Sequence, residues 1–180
     1  MGDSASAERD YKAVLAHSNQ LDKDLVDGCF SGLAEALIDF KRFEDAFKYA
    51  MEIHEPSMLS GTIQVFIEEL ESQLESAKSL NQRGDFADAL SFAVNCVRLN
   101  TILLDRADVT HWADEPLTKL ERAIAYQGLG DLTSAKEDVD YVLSKDPRCE
   151  KAKALAEKIY GGLGIPMLRE EKREKLTELQ

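Results

Sequence analysis

The sequence has few of the residues and patterns that β-rich or membrane-spanning proteins require. Its 180 residues include 4 Pro and 10 Gly, fewer than an all-β sandwich needs for a turn about every ten residues. No apolar run approaches the ~20 residues of a membrane helix, and no charged-then-apolar leader marks the N-terminus. We therefore expect a globular protein of the cytoplasm.

The three cysteines also give little sign of chemistry. Cys29, Cys96 and Cys149 are far apart and form no Cys-x-x-Cys pair. We interpret them as small buried side chains in a reducing compartment, because nothing in their neighbourhood favours a reactive thiolate.

Basic residues are scarce relative to acidic ones. The chain has 22 Lys and Arg against 34 Asp and Glu, which gives a formal net charge of −12. Such a surface repels phosphate backbones and anionic lipids, so we expect neither nucleic acid nor a membrane as partner. A basic or amphipathic segment of another protein is the more natural partner, although the same charge can serve solubility alone.

The residues that usually build active sites do not converge in the sequence. His17, His54 and His111 are far apart, and the stretch "HEPSM" at His54 lacks the second histidine of a zinc-protease helix. No Gly-rich loop with Lys-Ser/Thr occurs, and the Gly-x-Gly at residues 128–130 follows a predicted helix rather than a strand. We expect no catalytic residues, no cofactor and no metal, and we keep an unrecognised helical active site as a remote alternative.

One acidic run has two interpretations. The stretch at 66–76 places Glu68, Glu69, Glu71 and Glu75 at helical spacing. These carboxylates could hold a divalent cation or a basic peptide. We favour the second interpretation, in which they form the solvated face of an amphipathic helix.

Apolar residues recurring at three- and four-residue steps predict a chain of helices. The predicted helices span 6–19, 21–40, 43–54, 61–82, 86–105, 115–128, 132–145, 149–160 and 166–178. All four prolines fall between or at the ends of these patterns, where proline is tolerated. Strand signals are nearly absent, so the predicted class is all-α, built from antiparallel helical hairpins with short turns.

A pattern of small residues repeats three times along these helices. Aligning the second helices on Ala46, Ala89 and Ala135 also aligns the first helices. The aligned sets are Ala34, Ala77 and Ala123; Leu37, Leu80 and Tyr126; the turn residues Lys41, Gly84 and Gly130; Ala50, Ala93 and Val139; and Ile53, Cys96 and Val142. Small residues at such positions allow close helix approach.

This pattern resembles the tetratricopeptide repeat (TPR). The third unit, "ERAIAYQGLGDLTSAKEDVDYVLSKDP", carries Ala123, Tyr126, Gly130, Ala135 and Pro147 at the family's spacing. The second unit lacks the closing proline, and the first has lysine where glycine is usual. The repeat alanines are 43 and 46 residues apart, against about 34 in the family. The extra residues, at 61–70 and 104–115, can alter the stacking angle, and a plain helical bundle is the competing interpretation.

The resemblance implies a right-handed TPR-like array of helical hairpins with extra N- and C-terminal helices. We expect an N-terminal arm at 1–20, a repeat domain at 21–165 and a charged C-terminal helix at 166–180. Within the repeat domain, the units span about 27–60, 70–103 and 116–149, followed by a capping helix at 149–161. In this arrangement we expect Trp112, beside His111, to pack between the second and third hairpins rather than to anchor a partner.

The resemblance further implies a groove, lined by the first helices, that takes an extended or helical peptide. Its predicted lining residues are Ser31, Glu35, Asp39, Leu74, Lys78, Asn81, Leu117, Leu120, Ile124 and Gln127, with Lys151 on the next helix. The apolar members form a stripe suited to an amphipathic helix. Alternatively, the groove is filled by the chain's own N-terminal helix (Tyr11, Val14 and Leu15) or by residues 166–180.

One TPR subclass clamps the C-terminal carboxylate of chaperones. Here "ERAIAY" resembles the subclass stretch "NRAAAY", but Glu121 replaces its asparagine. Leu74 and Lys78 replace a lysine and an asparagine, Leu155 replaces the arginine, and only Lys151 matches. A carboxylate-clamp contact with a chaperone is therefore not expected.

Two functions follow as hypotheses. The first is a non-catalytic adaptor or scaffold that binds a peptide or helix of a partner protein in the groove. The alternative is a structural oligomerisation module of a larger cytoskeletal, trafficking or chaperone-associated assembly, with the C-terminal helix pairing between subunits. The oligomeric state itself is not predicted.

Overall fold

The computed structural model describes residues 4–104 and 115–165, and these residues are helical with no strand. The helices are α1 (Ser4–Leu15), α2 (Lys23–Asp39), α3 (Phe43–Ala50), α4 (Pro56–Arg83), α5 (Phe86–Leu104), α6 (Glu115–Leu129), α7 (Leu132–Lys145) and α8 (Glu150–Leu163), with a short 3-10 helix at Ser18–Gln20. The predicted all-α class is confirmed. The predicted helix at 166–178, His111 and Trp112 lie outside the described residues.

Most helix boundaries differ from the predicted ones by a few residues, and α4 differs most at its start. It begins at Pro56, five residues before the predicted start. Proline suits a first helical turn because it lacks only an N–H that would have no helical partner there. The preceding residue caps this turn, since Glu55 accepts hydrogen bonds from Ser57 N (3.1 Å) and Ser57 Oγ (2.6 Å).

The chain forms two compact units. Unit 1 comprises Met1–Ser76 and Val94–Glu115, and unit 2 comprises Ala77–Ala93 and Pro116–Gln180. Helices α4 and α5 therefore each contribute to both units. The sequence-based boundaries near residues 20 and 165 concern a different division and stay predictions.

Unit 1 packs α2 against both α1 and α3 and closes its core with parts of α4 and α5. Phe47 of α3 meets Phe66 of α4 edge to face, with ring centroids 5.8 Å apart. At the surface, Arg98 of α5 forms two hydrogen bonds with the Glu44 carboxylate (3.0 and 2.6 Å). This bond pair holds α5 beside the start of α3.

Unit 2 has a separate core from α6, α7 and α8, with α7 packed on α8. Arg122 of α6 donates twice to the carboxylate of buried Asp138 on α7, both at 2.7 Å. The hydrogen bonds to Asp138 raise the pKa of Arg122. This paired geometry compensates the buried charge and sets the register of the hairpin.

The three aligned turns share one backbone conformation. Lys41, Gly84 and Gly130 all have positive φ, at 61°, 83° and 84°. In each turn, the N–H of this residue bonds to the carbonyl three residues earlier, and the next N–H bonds to the carbonyl five residues earlier. This Schellman pattern ends helices at a left-handed residue. Gly164 after α8 repeats it, with φ 67°.

The side chains aligned by the repeat also share one environment. Of the fifteen aligned positions outside the turns, thirteen are buried, and the other two, Leu80 and Tyr126, are half-buried. The positions that the alanine spacing aligns are therefore core or partly buried positions in all three units.

Helix α5 is the one described helix that is long and apolar enough, by length and composition, to cross a membrane. The core helix of a water-soluble protein passes the same test. Several α5 residues, such as Ala93, Cys96 and Leu99, are fully buried, and 39% of the apolar stretch is buried inside the protein. The helix is therefore weak evidence for a membrane span.

Candidate functional site on the first helices of the repeats

The first helix of the first repeat, α2, presents two carboxylates to solvent. Glu35 and Asp39 are exposed, whereas Ser31 is half-buried. Ser31 Oγ lies 2.8 Å from Thr62 Oγ1 of α4 and also donates to the Glu35 carboxylate at 3.2 Å. The Ser31 hydroxyl is therefore already hydrogen-bonded within the chain, while Glu35 and Asp39 remain accessible to a partner.

Helix α4 runs beside α2 in the same direction. Ser31 pairs with Thr62, and Lys41, which follows α2, forms an ion pair with Glu69. Because residue numbers rise together across both contacts, the two helices are parallel. No local pattern in the sequence indicates this arrangement, in which the first turns of α4 cover the predicted groove residue Ser31.

Most of the acidic run on α4 is the solvated face of that helix, as the favoured interpretation proposed. Glu68, Glu71 and Glu75 are exposed, and their spacing of three and four residues places them on one face. No basic side chain in the described parts of the chain forms an ion pair with these three residues, Glu35 or Asp39. Unit 1 therefore carries a set of uncompensated carboxylates on α2 and α4.

The N-terminal helix packs on α2. Tyr11 and Leu15 pack against the unit 1 core, whereas Val14 is 39% exposed. Tyr11 lies against Gly32, where any Cβ would overlap its phenol. Arg42 forms an ion pair with Glu8 of α1. These contacts tie α1 to the first hairpin.

The predicted apolar stripe contributes to the cores of both units. Leu120 is 3% exposed and belongs to the unit 2 core, and Ile124 packs partly against that core. Leu74 packs partly against the unit 1 core, and Leu117 is half-buried. A partner could reach Leu120 only if unit 2 opened, so the surface that we propose below excludes it.

The polar predicted residues of unit 2 differ in exposure. Lys78, Asn81 and Gln127 are half-buried, and Lys151 at the start of α8 is exposed. Asn81 Nδ2 donates to the Glu121 carboxylate and to the Glu121 backbone carbonyl, both at 2.9 Å. Asn81 is a predicted groove residue, and Glu121 occupies the position of an asparagine in the carboxylate-clamp subclass. Nothing in their spacing of 40 residues indicates that they bond to each other.

A buried carboxylate that the sequence analysis missed fixes the entry into α4. Asp27 is 2% exposed and accepts from His54 N (3.0 Å) and Glu55 N (2.8 Å), with His54 Nδ1 at 3.4 Å. Burial raises the pKa of Asp27, but these hydrogen bonds outweigh it, so the pKa lies below its ordinary value. The only sequence signal would have been an aspartate at an apolar helix position.

Within residues 4–104 and 115–165, no group of three or more His, Cys, Asp or Glu side chains is arranged to hold a metal ion. Compared with protein-family models and with curated proteins, the chain matches none.

Proposed function

We propose that this protein is a non-catalytic adaptor with a TPR-like array of helical hairpins, and that it binds a basic, amphipathic segment of another protein. The observation that supports the array is the repeat itself. The turns at Lys41, Gly84 and Gly130 share one conformation, and thirteen of the fifteen aligned side chains are buried. Arrays of this kind typically use an inner face for binding rather than for catalysis.

The proposed partner chemistry follows from charge. Glu35 and Asp39 on α2, and Glu68, Glu71 and Glu75 on α4, are exposed carboxylates without ion pairs in the described chain. Half-buried Leu74 on α4 offers apolar area in the same unit as these carboxylates. A lysine-bearing amphipathic helix complements both features, since its polar face meets carboxylates while its apolar face is removed from water.

A pair of matched peptides tests this proposal. Both are amphipathic helices with the same leucine pattern, and their polar positions carry either lysine or glutamate. Calorimetric titration of the full chain should show binding of the lysine peptide only, with an affinity that falls as salt rises. Equal binding of the two peptides, or no binding of either, would contradict the proposal.

Charge reversal locates the surface. The double variant Glu35→Lys/Asp39→Lys should weaken binding of the lysine peptide about tenfold or more, because attraction becomes repulsion. The control Glu52→Lys/Glu157→Lys changes net charge equally at exposed residues outside the proposed surface, and it should bind nearly as the parent does. If both double variants weaken peptide binding by the same factor, only the overall charge matters and the α2 surface is not the site.

A further inference from the structure

Two glycines inside the helices of unit 1 have no packing partner in the described part of the chain. Gly28 of α2 and Gly61 of α4 are exposed, and a Cβ added at either position would meet no atom within 4 Å. Inside a helix, glycine is less favourable than alanine because it loses more backbone freedom on folding. The stability of the fold therefore does not explain a glycine at these two positions.

Other glycines inside the helices of this protein receive a large side chain. Gly32 of α2 lies against the Tyr11 ring of α1, and Gly128 of α6 lies against the Phe86 ring of α5. At both positions a Cβ would overlap the ring, so the missing Cβ makes room for the side chain of another helix. The two open glycines offer the same kind of space at the surface.

The two open glycines lie close together on the outer side of the α2–α4 pair. The helices are parallel and touch through Ser31 and Thr62, which follow Gly28 by three residues and Gly61 by one. The glycines are therefore only about 3 Å apart along the helix axes. On each helix, the rotation of about 100° per residue places the buried core positions on one side of the contact residue and the glycine on the other. We define Gly28 and Gly61 together as the glycine seat.

Each glycine of the seat is followed seven residues later by an exposed glutamate, Glu35 on α2 and Glu68 on α4. Seven residues make about two helical turns, so each glutamate shares a face with its glycine and lies about 10 Å further along the helix. The two carboxylates accept hydrogen bonds from the neutral side chains of Ser31 and Gln64, and neither forms an ion pair with a described residue. The outer face thus combines open backbone with accessible negative charge.

We propose that the glycine seat receives one bulky apolar side chain of the basic segment that the protein binds, while cationic side chains of that segment reach Glu35 and Glu68. This proposal rests on the adaptor function and adds an apolar anchor to it. A large side chain placed over bare backbone buries apolar area without meeting a Cβ. A basic amphipathic helix fits this face, because its residues i and i+7 also share one side and its charge complements the two carboxylates.

Backbone amide signals test the seat in the unmodified protein. The full chain, labelled with nitrogen-15, is titrated with the lysine peptide of the preceding section. The signals of Gly28 and Gly61 should shift, whereas that of Gly161, an open glycine in the last turn of α8, should not. Peptide binding without shifts at Gly28 and Gly61 would overturn the glycine seat and leave the adaptor function standing. Absence of binding would contradict both.

A double substitution separates binding from stability. Gly28→Ala/Gly61→Ala places a methyl group at each position of the seat, where it meets no atom of the chain. The variant should be at least as stable as the parent in urea unfolding, yet its dissociation constant for the lysine peptide should rise at least about fivefold, because the anchor no longer fits.

The matched control is Gly161→Ala, which adds a methyl group to an open helix glycine outside the seat and should leave the dissociation constant unchanged. Unchanged peptide binding by the double variant, or an equal loss of affinity in the control, refutes the glycine seat. A double variant that loses stability together with affinity also refutes it, because the glycines would then serve the fold.

Discussion

The left-handed turn at Lys41 gives the sharpest test of the repeat register. Lys41 is the one described residue other than glycine with positive φ, and it aligns with Gly84 and Gly130. An L-residue in this conformation costs roughly 1–2 kcal/mol, and glycine avoids that cost. Glycine also lowers the free energy of unfolding by about 0.4–1 kcal/mol, because the unfolded chain has more conformational freedom at a glycine. The net preference for glycine is therefore about 1 kcal/mol.

The comparison must remove the side-chain contribution of Lys41. Its ammonium forms an ion pair with Glu69, but the Lys41 side chain is 41% exposed, so the pair contributes about 0.5 kcal/mol or less. Lys41→Ala removes this ion pair but keeps the backbone strain. Lys41→Gly removes the ion pair and the strain. Lys41→Gly should therefore be more stable than Lys41→Ala by about 1 kcal/mol, whereas Gly84→Ala and Gly130→Ala should each lose about that amount.

Urea unfolding followed by circular dichroism measures these differences. With a denaturant dependence of about 2 kcal/mol per molar urea, 1 kcal/mol moves the unfolding midpoint by about 0.5 M. The three positions should give effects of similar size, with glycine more stable than alanine at each. If Lys41→Gly is no more stable than Lys41→Ala, the three turns are not equivalent and the repeat alignment fails at the first unit.

Three further predictions concern stability. Because the pKa of Asp27 is lowered, its carboxylate stabilises the fold above its ordinary pKa of 3.8 and loses this effect as pH falls through the folded-state pKa. Asp27→Asn should therefore make the urea midpoint of unfolding fall less steeply as the pH is lowered. An unchanged dependence of the midpoint on acidic pH would contradict this account. Asn100 is fully buried, and both atoms of its side-chain amide lack a hydrogen-bond partner. Asn100→Leu should therefore stabilise the folded protein by about 1–3 kcal/mol in thermal unfolding. A loss of stability would contradict this explanation. Gly128→Ala places a methyl group against the Phe86 ring and should destabilise the fold by about 1–3 kcal/mol. Gly28→Ala has open space around the added Cβ and should be neutral or stabilising. Equal effects of the two substitutions would contradict the packing explanation.

Features that depend on a few neighbouring residues could be predicted from the sequence. The second helix of the third unit begins at Leu132 and ends at Lys145, as predicted, because Asp131 caps it by accepting from Ser134 N and the apolar positions recur at helical steps. Gly130 is also a turn residue, as the repeat alignment predicts, and its φ is positive. Periodicity, caps and turn residues act within about one helical turn, so they can be recognised without the fold.

The candidate site was predicted less completely. Glu35 and Asp39 are exposed, as an interaction surface requires, but Leu120, also predicted to line the groove, is in the core of unit 2. An apolar side chain on a first helix can face a groove or a neighbouring helix, and helical spacing is the same in both cases. Only the packing of α6 against α7 and α8 distinguishes the two.

The sequence by itself determined where the described helices lie to within a few residues and which small residues recur at buried positions, because both follow from local backbone preferences and spacing. The tertiary structure alone decided that Asp27 holds the start of α4 and that Asn81 bonds to Glu121. These partners are 27 and 40 residues apart. Their contact depends on how whole helices pack, and no local pattern in the chain encodes a pairing over that separation.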